Sequence, residues 1–344
     1  MSLGRATIAD IAREAGVSTA TVDRVINSRR GVQPETRRRV LGVADRLGYL
    51  PDTAQAHASI ALSVPRLDFL LPGGSNSFLG VLAAHLRDSA RARKSVADVR
   101  IHLIEGFNPD ALAAALRELG PQSRGLGIVG IDHPTVREAI RQVVLAGTPV
   151  LTMVSDIANV PRLGYVGIDN RAAGRLAGHL VGRFVAPDRK EVALFAGSMS
   201  YRGHEEREAG FRHVLAEMSR QVRIVDLREI KDDTERSYVE TRQLLERHPG
   251  LGAIYNIGAG NRGIAQALEE SGRASDVVFV GHELTEHTRR FLLSGTMDAV
   301  IDQNPRVEVR DAIDRLLAAV GNQAQPELPQ IRIQALFREN IPEV

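Results

Sequence analysis

The sequence contains no cysteine and no tryptophan, and only 4% of its 344 residues are aromatic. Without cysteine, the chain has no disulfide framework and no thiolate metal or redox site. No stretch approaches the roughly 18 consecutive apolar residues that a membrane-spanning helix needs. The charged residues Asp10, Arg13 and Glu14 interrupt the apolar core that a secretory signal peptide would require near its start. We therefore expect a cytoplasmic protein that makes no contact with membranes.

Length and composition are those of a globular protein with about two to three domains. Apolar residues make up 43% of the chain and charged residues 25%, which is typical of soluble proteins. The formal net charge is only +2, but the first sixty residues contain nine arginines, no lysine and six acidic residues. The arginines are densest at Arg29-Arg30 and Arg37–Arg39. This cluster suits contact with phosphates, although a solvated helical face explains it equally well.

Residues 7–49 contain three short segments with helical periodicity. Their apolar positions are Ile8, Ile11, Ala12 and Ala15, then Val22, Val25 and Ile26, then Val40, Val43, Ala44 and Leu47. Thr7 and Asp10 have the spacing of a capping box, Gly16 offers a left-handed stop, and Ser18 caps the next segment. Two helices joined by about four residues that include glycine form a helix-turn-helix, whose second helix enters the DNA major groove. The segment predicts double-stranded DNA as a partner.

Beyond residue 66 the pattern changes, because short apolar runs alternate with amphipathic helical stretches. This alternation predicts parallel sheets covered by helices on both faces. The ten candidate strands are 67–71, 99–104, 125–131, 149–154, 163–168, 191–196, 222–227, 252–257, 277–281 and 298–302.

Ten strands exceed one ordinary sheet, so the fold class that we predict is an all-α headpiece followed by two doubly wound α/β subdomains. Ligands bind such folds at the carboxyl ends of the strands, which predicts a site in the cleft between two facing sheets. The predicted boundaries are 1–51 for the headpiece, 52–66 for a linker, and 67–344 for the α/β part, whose subdomains comprise about 67–169 with 303–326 and about 170–300 with 328–344.

Three segments resemble one known family closely. They are Thr7–Asn27 (TIADIAREAGVSTATVDRVIN), Thr36-Arg37 and Leu47–Pro51 (LGYLP). They resemble the headpiece of lactose-repressor (LacI) family regulators, and the rest of the chain resembles the effector domain of that family, which is related to periplasmic sugar-binding proteins. The resemblance implies a homodimer or tetramer, a palindromic DNA operator, and a small ligand that changes the affinity for DNA. The sequence contains no Walker loop, no G-x-S-x-G motif and no cluster of metal-ligating histidines, so we expect no enzymatic activity, cofactor or metal.

The resemblance also assigns roles within the second helix of the headpiece. Thr19, Ala20 and Arg24 occupy base-reading positions, and Arg24 is the candidate for a bidentate contact with guanine. Other residues are candidates for the phosphate backbone. The full set of candidate DNA-binding residues is Thr7, Ser18, Thr19, Ala20, Asp23, Arg24, Asn27, Arg29, Arg30 and Thr36.

Two features depart from the family pattern. Asp23 stands where relatives commonly have serine, and it either accepts a hydrogen bond from cytosine N4 or orients Arg24 through an ion pair; we favour the ion pair. In the linker, relatives usually carry an arginine and then a leucine that wedges into the minor groove. Ala56 and Ala58 occupy these positions here, and an alanine side chain is too small to separate base pairs.

Polar side chains at the predicted strand ends are the candidates for the effector cleft. Carboxylates, amides and one arginine that converge from both subdomains suit the hydroxyl groups of a sugar or polyol. Arg207 lies where relatives place a ligand-clamping arginine, and Phe78 is placed to stack on a sugar ring. The candidate effector-binding residues are Asn76, Phe78, Asp156, Arg207, Asn256, Glu283 and Gln303.

Two other motifs offer competing interpretations. Gly258–Gly263 reads G-x-G-x-x-G after an apolar strand, and Glu283 follows at the end of the next strand, as in an NAD-dependent enzyme. This unit lies far along the chain and has no catalytic histidine, lysine or tyrosine constellation nearby, so we expect its glycines to serve close packing. His282 and His287 resemble a zinc-protease motif, but they are five residues apart and would diverge on a helix.

The sequence therefore predicts a ligand-responsive transcriptional regulator, and repression of transcription is the effect that the family resemblance favours. Two alternatives stay open: an NAD-dependent enzyme that uses Gly258–Gly263, and a ligand-binding module whose headpiece no longer binds DNA.

Overall fold

A computed structural model describes residues 6–27, 32–47, 49, 64–93, 97–218 and 222–343. The chain divides into two compact units, residues 1–65 and 66–344, and each unit is described by itself. Among the described residues, no helix is both long enough and apolar enough to cross a membrane.

The described residues of the first unit form three helices: α1 (Ile8–Ala15), α2 (Thr19–Ile26) and α3 (Pro34–Arg46). Thr7 and Asp10 form the predicted capping box at the start of α1, and Gly16 ends α1 in the left-handed conformation with φ +63°. Ser18 caps α2 by accepting a hydrogen bond from the Thr21 amide. The helices pack around a small core that comprises Ile11, Ala12, Ala15, Val22, Val25, Val40, Leu41, Val43 and Ala44.

The second unit begins with a five-stranded sheet whose strands are all parallel. Its order is β2-β1-β3-β4-β5. The strands are β1 (Arg66–Gly73), β2 (Asp98–Glu105), β3 (Gly125–Ile128), β4 (Val150–Met153) and β5 (Tyr165–Val166). The helices that follow β1, β2 and β3 are α4 (Ser77–Ala92), α5 (Pro109–Leu119) and α6 (Pro134–Leu145). This sheet and its helices are called the N-lobe below.

A six-stranded sheet follows, in the order β11-β10-β9-β8-β6-β7. Its strands are β6 (Glu191–Ala196), β7 (Arg223–Glu229), β8 (Leu251–Asn256), β9 (Val278–His282), β10 (Ala299–Asp302) and β11 (Gln334–Leu336). The accompanying helices are α7 (Asn170–Phe184), α8 (Arg202–Glu217), α9 (Thr234–Arg247), α10 (Asn261–Glu270) and α11 (Glu286–Ser294). This part is called the C-lobe. A last helix, α12 (Pro305–Val320), returns to pack on the N-lobe sheet.

The two parallel α/β sheets confirm the predicted fold class, and all ten candidate strands are present. The sequence did not predict β11, which pairs antiparallel with β10 at the edge of its sheet. Three residues are too few to show a period-two pattern, so only the pairing identifies this strand.

Close contact between α7 and α8 fixes the position of the site that follows. A Cβ atom on Gly174 would lie 1.9 Å from the Arg207 carbonyl oxygen, and one on Gly210 would lie 2.1 Å from the Arg171 carbonyl oxygen. Only glycine permits the two backbones to approach this closely. The contact holds the α8 backbone at Arg207 against α7.

Candidate functional site

A cavity of about 560 Å³ opens between the carboxyl ends of the two sheets and is lined from both lobes. Five of the seven residues predicted for the effector cleft lie on its wall: Asn76, Phe78, Arg207, Glu283 and Gln303. The rule that parallel sheets bind ligands at their carboxyl ends therefore locates the cavity.

Arg207 lies at the floor of the cavity and is only 4% exposed. Its Nε donates to Asn170 Oδ1 at 2.7 Å, and its Nη1 donates to the Ile257 carbonyl at 2.9 Å. Its Nη2 is 3.7 Å from Glu283 Oε1, which is beyond hydrogen-bond distance. The guanidinium is thus held in one orientation by neutral acceptors.

Glu283 and Gln303 form a second polar group on the floor. Gln303 Nε2 donates to Glu283 Oε1 at 2.6 Å. Burial raises the pKa of Glu283 to about 8, because a buried carboxylate loses its hydration; the charge of Arg207 only partly offsets this effect. Glu283 also has a left-handed backbone, with φ +70°, which a non-glycine residue adopts at a cost of about 1–3 kcal/mol.

Four polar atoms on the cavity wall are buried and have no hydrogen-bond partner among the described residues. They are the Tyr201 hydroxyl, His282 Nδ1, Glu283 Oε2 and Gln303 Oε1. Leaving a buried polar group unpaired costs about 1–3 kcal/mol. Because four residues that line one cavity carry such atoms, we expect the cavity to bind a ligand that supplies missing partners.

His282 is aligned by a network behind the cavity wall. Its Nε2 lies 2.8 Å from the Tyr255 hydroxyl, and Tyr255 stacks on Phe211 at 4.7 Å between ring centroids. Burial lowers the pKa of His282 well below its usual range, so the ring is neutral at physiological pH.

Two predicted effector residues lie elsewhere. Asp156 does not line the cavity; its carboxylate binds the Arg162 guanidinium and accepts from the Thr152 hydroxyl. Asn256 is fully buried beneath the wall and donates to Asn261 Oδ1 at 2.7 Å. Both residues were selected because they end a strand, but a side chain at a strand end points to the cavity or away from it according to the local backbone. The neighbouring residues Ser155 and Asn261 do line the cavity.

The sequence interpretation missed Asp232, which is a central residue of the cleft. Asp232 follows β7, and its carboxylate accepts from Asn76 Nδ2 at 2.7 Å and from the Ala259 amide at 3.0 Å. The strand-end rule applied to β7 would have found it. Asn76 also caps α4, since its Oδ1 accepts from the amides of Phe78 and Leu79. Asn76 therefore joins the lobes and positions Phe78.

Aromatic rings from both lobes line the cavity. Phe107 of the N-lobe meets Tyr201 of the C-lobe edge to face, with ring centroids 5.4 Å apart, and Phe78 lies on the same cavity wall. Such rings present apolar faces that stack on the C–H face of a sugar ring.

The glycines of Gly258–Gly263 serve close packing. A Cβ atom on Gly263 would lie 2.1 Å from the Thr234 carbonyl oxygen, and Gly260 has φ +93° where it precedes α10. These contacts set α10 against α9, which accounts for the G-x-G-x-x-G pattern without a dinucleotide. No group of three metal-ligating side chains is found among the described residues, and His282 itself belongs to the tyrosine network.

The headpiece unit presents the predicted DNA-reading face to solvent. The exposed face of α2 carries Thr19, Ala20, Arg24 and Asn27, whereas Val22 and Val25 on the other face are buried.

The remaining candidate Asp23 is half-buried, and its carboxylate accepts a hydrogen bond from Asn27 Nδ2 at 2.7 Å. Thr7 and Ser18 cap their helices, and Thr36 is half-buried on α3. Arg29 and Arg30, predicted to contact DNA, and Ala56 and Ala58 of the predicted linker lie outside the described residues.

Comparison with known proteins agrees with both units. Residues 7–52 match the model of bacterial regulatory proteins of the lacI family, and residues 67–324 match the periplasmic binding protein domain. The lactose operon repressor of Escherichia coli (strain K12) is 27% identical over 334 residues, covering 93% of this chain and 88% of that protein. Catabolite control protein A of Priestia megaterium is 28% identical over 227 residues, and this match spans 63% of either protein.

Among solved structures, GanP, a glucose-galactose binding protein from Geobacillus stearothermophilus, has the same fold. The TM-score is 0.74 at 20% sequence identity, covering 82% of this chain and all of that chain. The helical N-terminal unit and the two-lobed α/β unit therefore both have family counterparts. The chain therefore carries a LacI-family DNA-binding domain followed by a periplasmic binding protein domain, which is the domain arrangement of a LacI-family transcriptional regulator.

Proposed function

We propose that this regulator binds a palindromic operator as a homodimer and that a sugar-like ligand in the cleft changes its affinity for that operator. The observation that carries the proposal is the set of four unpartnered buried polar atoms on the cavity wall: the Tyr201 hydroxyl, His282 Nδ1, Glu283 Oε2 and Gln303 Oε1. A polyhydroxylated ligand supplies both donors and acceptors at short spacing, which is what these atoms lack.

The aromatic wall supports the same ligand class. Phe78, Phe107 and Tyr201 offer apolar surface beside the polar floor, and sugars combine hydroxyl groups with an apolar C–H face. The related structure of GanP is that of a glucose-galactose binding protein, which agrees with this chemistry. The protein acts in this proposal by binding two partners, with no chemical step.

The headpiece supplies the contact with DNA. Arg24 is exposed on α2 and its guanidinium has the fork geometry that recognises guanine O6 and N7. Thr19 and Ala20 lie on the same exposed face and are small enough to contact a thymine methyl group. One headpiece of three short helices offers little specificity, so two-fold pairing on half-sites about 34–36 Å apart is expected.

The position of the cavity between the two lobes suggests how ligand binding is coupled to DNA binding. Because both lobes line the cavity, a ligand that binds there changes the free energy of lobe closure. A coupling free energy of about 1–3 kcal/mol is enough to change operator affinity several-fold.

Fluorescence anisotropy with labelled DNA from the region upstream of the gene tests the proposal. We expect nanomolar binding that weakens steeply with salt, together with much weaker binding to a scrambled duplex. Sedimentation velocity of the free protein should show a dimer. If the chain shows no preference over scrambled DNA, it is a ligand-binding module with an inactive headpiece, and the regulatory proposal fails.

A thermal-shift screen of sugars, polyols and sugar acids tests the ligand class that we propose for the cleft. A ligand that raises the melting temperature should also change the anisotropy titration at the same concentration. A ligand that binds without any effect on DNA affinity would contradict the coupling between the two units.

A further inference from the structure

The exposed face of α2 carries an acidic side chain near its centre. Thr19, Asp23 and Asn27 are spaced four residues apart and form one row along the helix. Ala20 and Arg24 form a second row beside it. Asp23 therefore lies within the surface that we propose to enter the major groove, one helical turn beyond Thr19 and next to Arg24.

The structure does not contain the ion pair between Asp23 and Arg24 that we favoured from the sequence. Within the described part of the headpiece, no hydrogen bond or ion pair joins the Asp23 carboxylate to the Arg24 guanidinium. Asn27 Nδ2 donates to Asp23 Oδ1 at 2.7 Å and to the Asp23 carbonyl oxygen at 3.1 Å. The carboxylate is thus positioned from the next turn of the helix, independently of Arg24.

A carboxylate on a DNA-facing surface distinguishes among bases by charge. The phosphates of every DNA sequence repel it, and only a hydrogen-bond donor in the groove offsets that repulsion. The major groove offers two amino donors, cytosine N4 and adenine N6. Adenine also presents the N7 acceptor beside its amino group, which repels a carboxylate, whereas the major-groove edge of cytosine presents the N4 donor without an acceptor. The chemistry of Asp23 therefore favours cytosine.

We propose that Asp23 is a specificity-determining residue whose carboxylate accepts a hydrogen bond from the N4 amino group of a cytosine in each operator half-site. The inference rests on the proposed function and deepens it, since Arg24 is the source of polar base contacts there. A carboxylate offers about four acceptor positions, so Asp23 accepts from cytosine while Asn27 continues to hold it. Thymine O4 and guanine O6 are acceptors and are repelled. Asp23 therefore acts by excluding other sequences as well as by binding its own.

Selection of duplexes from a pool with randomised half-sites tests the inference with the full-length protein. The wild type should require a cytosine at one position of each half-site, and this requirement should disappear in Asp23→Ala. Anisotropy titrations then compare two duplexes that differ only at this position. Replacement of the cytosine by thymine should weaken binding of the wild type roughly tenfold and should leave binding of Asp23→Ala nearly unchanged.

Binding to scrambled DNA gives a second signature of the charge. Asp23→Ala should bind a scrambled duplex several-fold more tightly than the wild type does, because the substitution removes an anion that faces the phosphates. A residue that only stabilised α2 would have no such effect, since its loss weakens binding to every duplex.

Two further variants separate the charge of Asp23 from its contact with Asn27. Asp23→Asn keeps an oxygen that accepts from Asn27 Nδ2, so the helix should be retained while the cytosine preference is lost. Glu14→Gln is the matched control, because it removes a charge of the same sign from α1. Glu14 is exposed there and pairs with Arg46 at 3.0 Å, and its variant should keep the full cytosine preference.

The outcomes distinguish the inference from the function on which it rests. If Asp23→Asn and folded Asp23→Ala select the same half-site as the wild type, the cytosine contact is overturned and a sequence-specific regulator is left. Retention of the cytosine preference in Asp23→Asn overturns the inference even where Asp23→Ala fails to fold, because the role of Asp23 is then structural. If the wild type selects no sequence at all, the proposed function fails together with the inference.

Discussion

Asn76 Nδ2 donates a hydrogen bond of 2.7 Å to Asp232 Oδ2 and so connects the N-lobe to the C-lobe across the cleft. A second contact runs beside it, from the Ser75 hydroxyl to the Asp232 carbonyl at 3.0 Å. Lys231 and Asp232 have left-handed backbones, with φ +52° and +56°. Two successive non-glycine residues in this conformation store strain of about 1–3 kcal/mol each. The two lobes are therefore connected across the cleft by contacts on a strained loop.

The first prediction concerns this connection. Asp232→Asn should weaken ligand binding several-fold and increase the radius of gyration of the ligand-free protein, because the new side chain has one acceptor oxygen and cannot accept from both Asn76 Nδ2 and the Ala259 amide. Asparagine tolerates the left-handed backbone, so the loop itself should be retained. Ligand calorimetry and small-angle X-ray scattering measure the two effects. Asp169→Asn is the matched control, since Asp169 is exposed, lies outside the cavity lining, and asparagine preserves its cap on α7. Unchanged affinity in Asp232→Asn would show that the connection does not hold the cleft closed.

The second prediction concerns base reading. Arg24→Ala should reduce the preference for operator over scrambled DNA by about 1–3 kcal/mol, because a bidentate contact with guanine is lost. Arg13→Ala is the control: Arg13 is exposed on α1 and its ion pair with Asp10 lies within that helix. It should weaken binding to both duplexes alike or leave it unchanged. Anisotropy titrations with the two duplexes measure this preference. If Arg24→Ala still prefers the operator as strongly as the wild type does, the base-reading role of Arg24 is refuted.

The third prediction follows from the pKa of Glu283. The folded protein raises this pKa from its ordinary value of 4.5 to about 8, so the folded state holds a proton that the unfolded state has released between these values. The contribution of Glu283 to the free energy of unfolding is therefore fully present below about pH 4.5. It declines as the pH rises and is lost by about pH 8. Glu283→Gln removes the titration. The variant should gain stability relative to the wild type between pH 5 and pH 8, by on the order of a few kcal/mol.

Urea unfolding of both proteins across that pH range measures the difference. A stability difference that stays constant from pH 5 to pH 8 would mean that Glu283 is ionised in the folded protein.

The fourth prediction concerns the contact that positions Arg207. Gly174→Ala should destabilise the protein by several kcal/mol, since its Cβ would lie 1.9 Å from the Arg207 carbonyl oxygen and α7 would have to move. Gly80→Ala, in α4, is the control because no atom lies within 4 Å of its added Cβ. It should stabilise the protein by up to about 1 kcal/mol through helix propensity. Chemical denaturation compares the two, and equal stabilities would show that α7 and α8 separate freely.

The spacing of residues that are close together in the sequence was enough to predict the helices, their caps and the strands. The helix stripes, the caps at Thr7 and Ser18, the left-handed Gly16 and the ten predicted strands all follow from side-chain spacing within a few residues. The location of the cleft followed as well, because strand–helix alternation dictates parallel sheets whose carboxyl ends converge.

The tertiary structure decided which of these side chains meet. Sequence placed Asp156 and Asn256 at strand ends, but an ion pair with Arg162 and a bond to Asn261 hold them outside the cavity. It gave no sign that Asp232 joins Asn76, since 156 residues separate them and only the facing of the two sheets brings them together. The raised pKa of Glu283 likewise depends on burial among residues distant in the chain. Such long-range contacts and desolvation are properties of the packed fold, whereas periodicity and capping act within a single turn or strand.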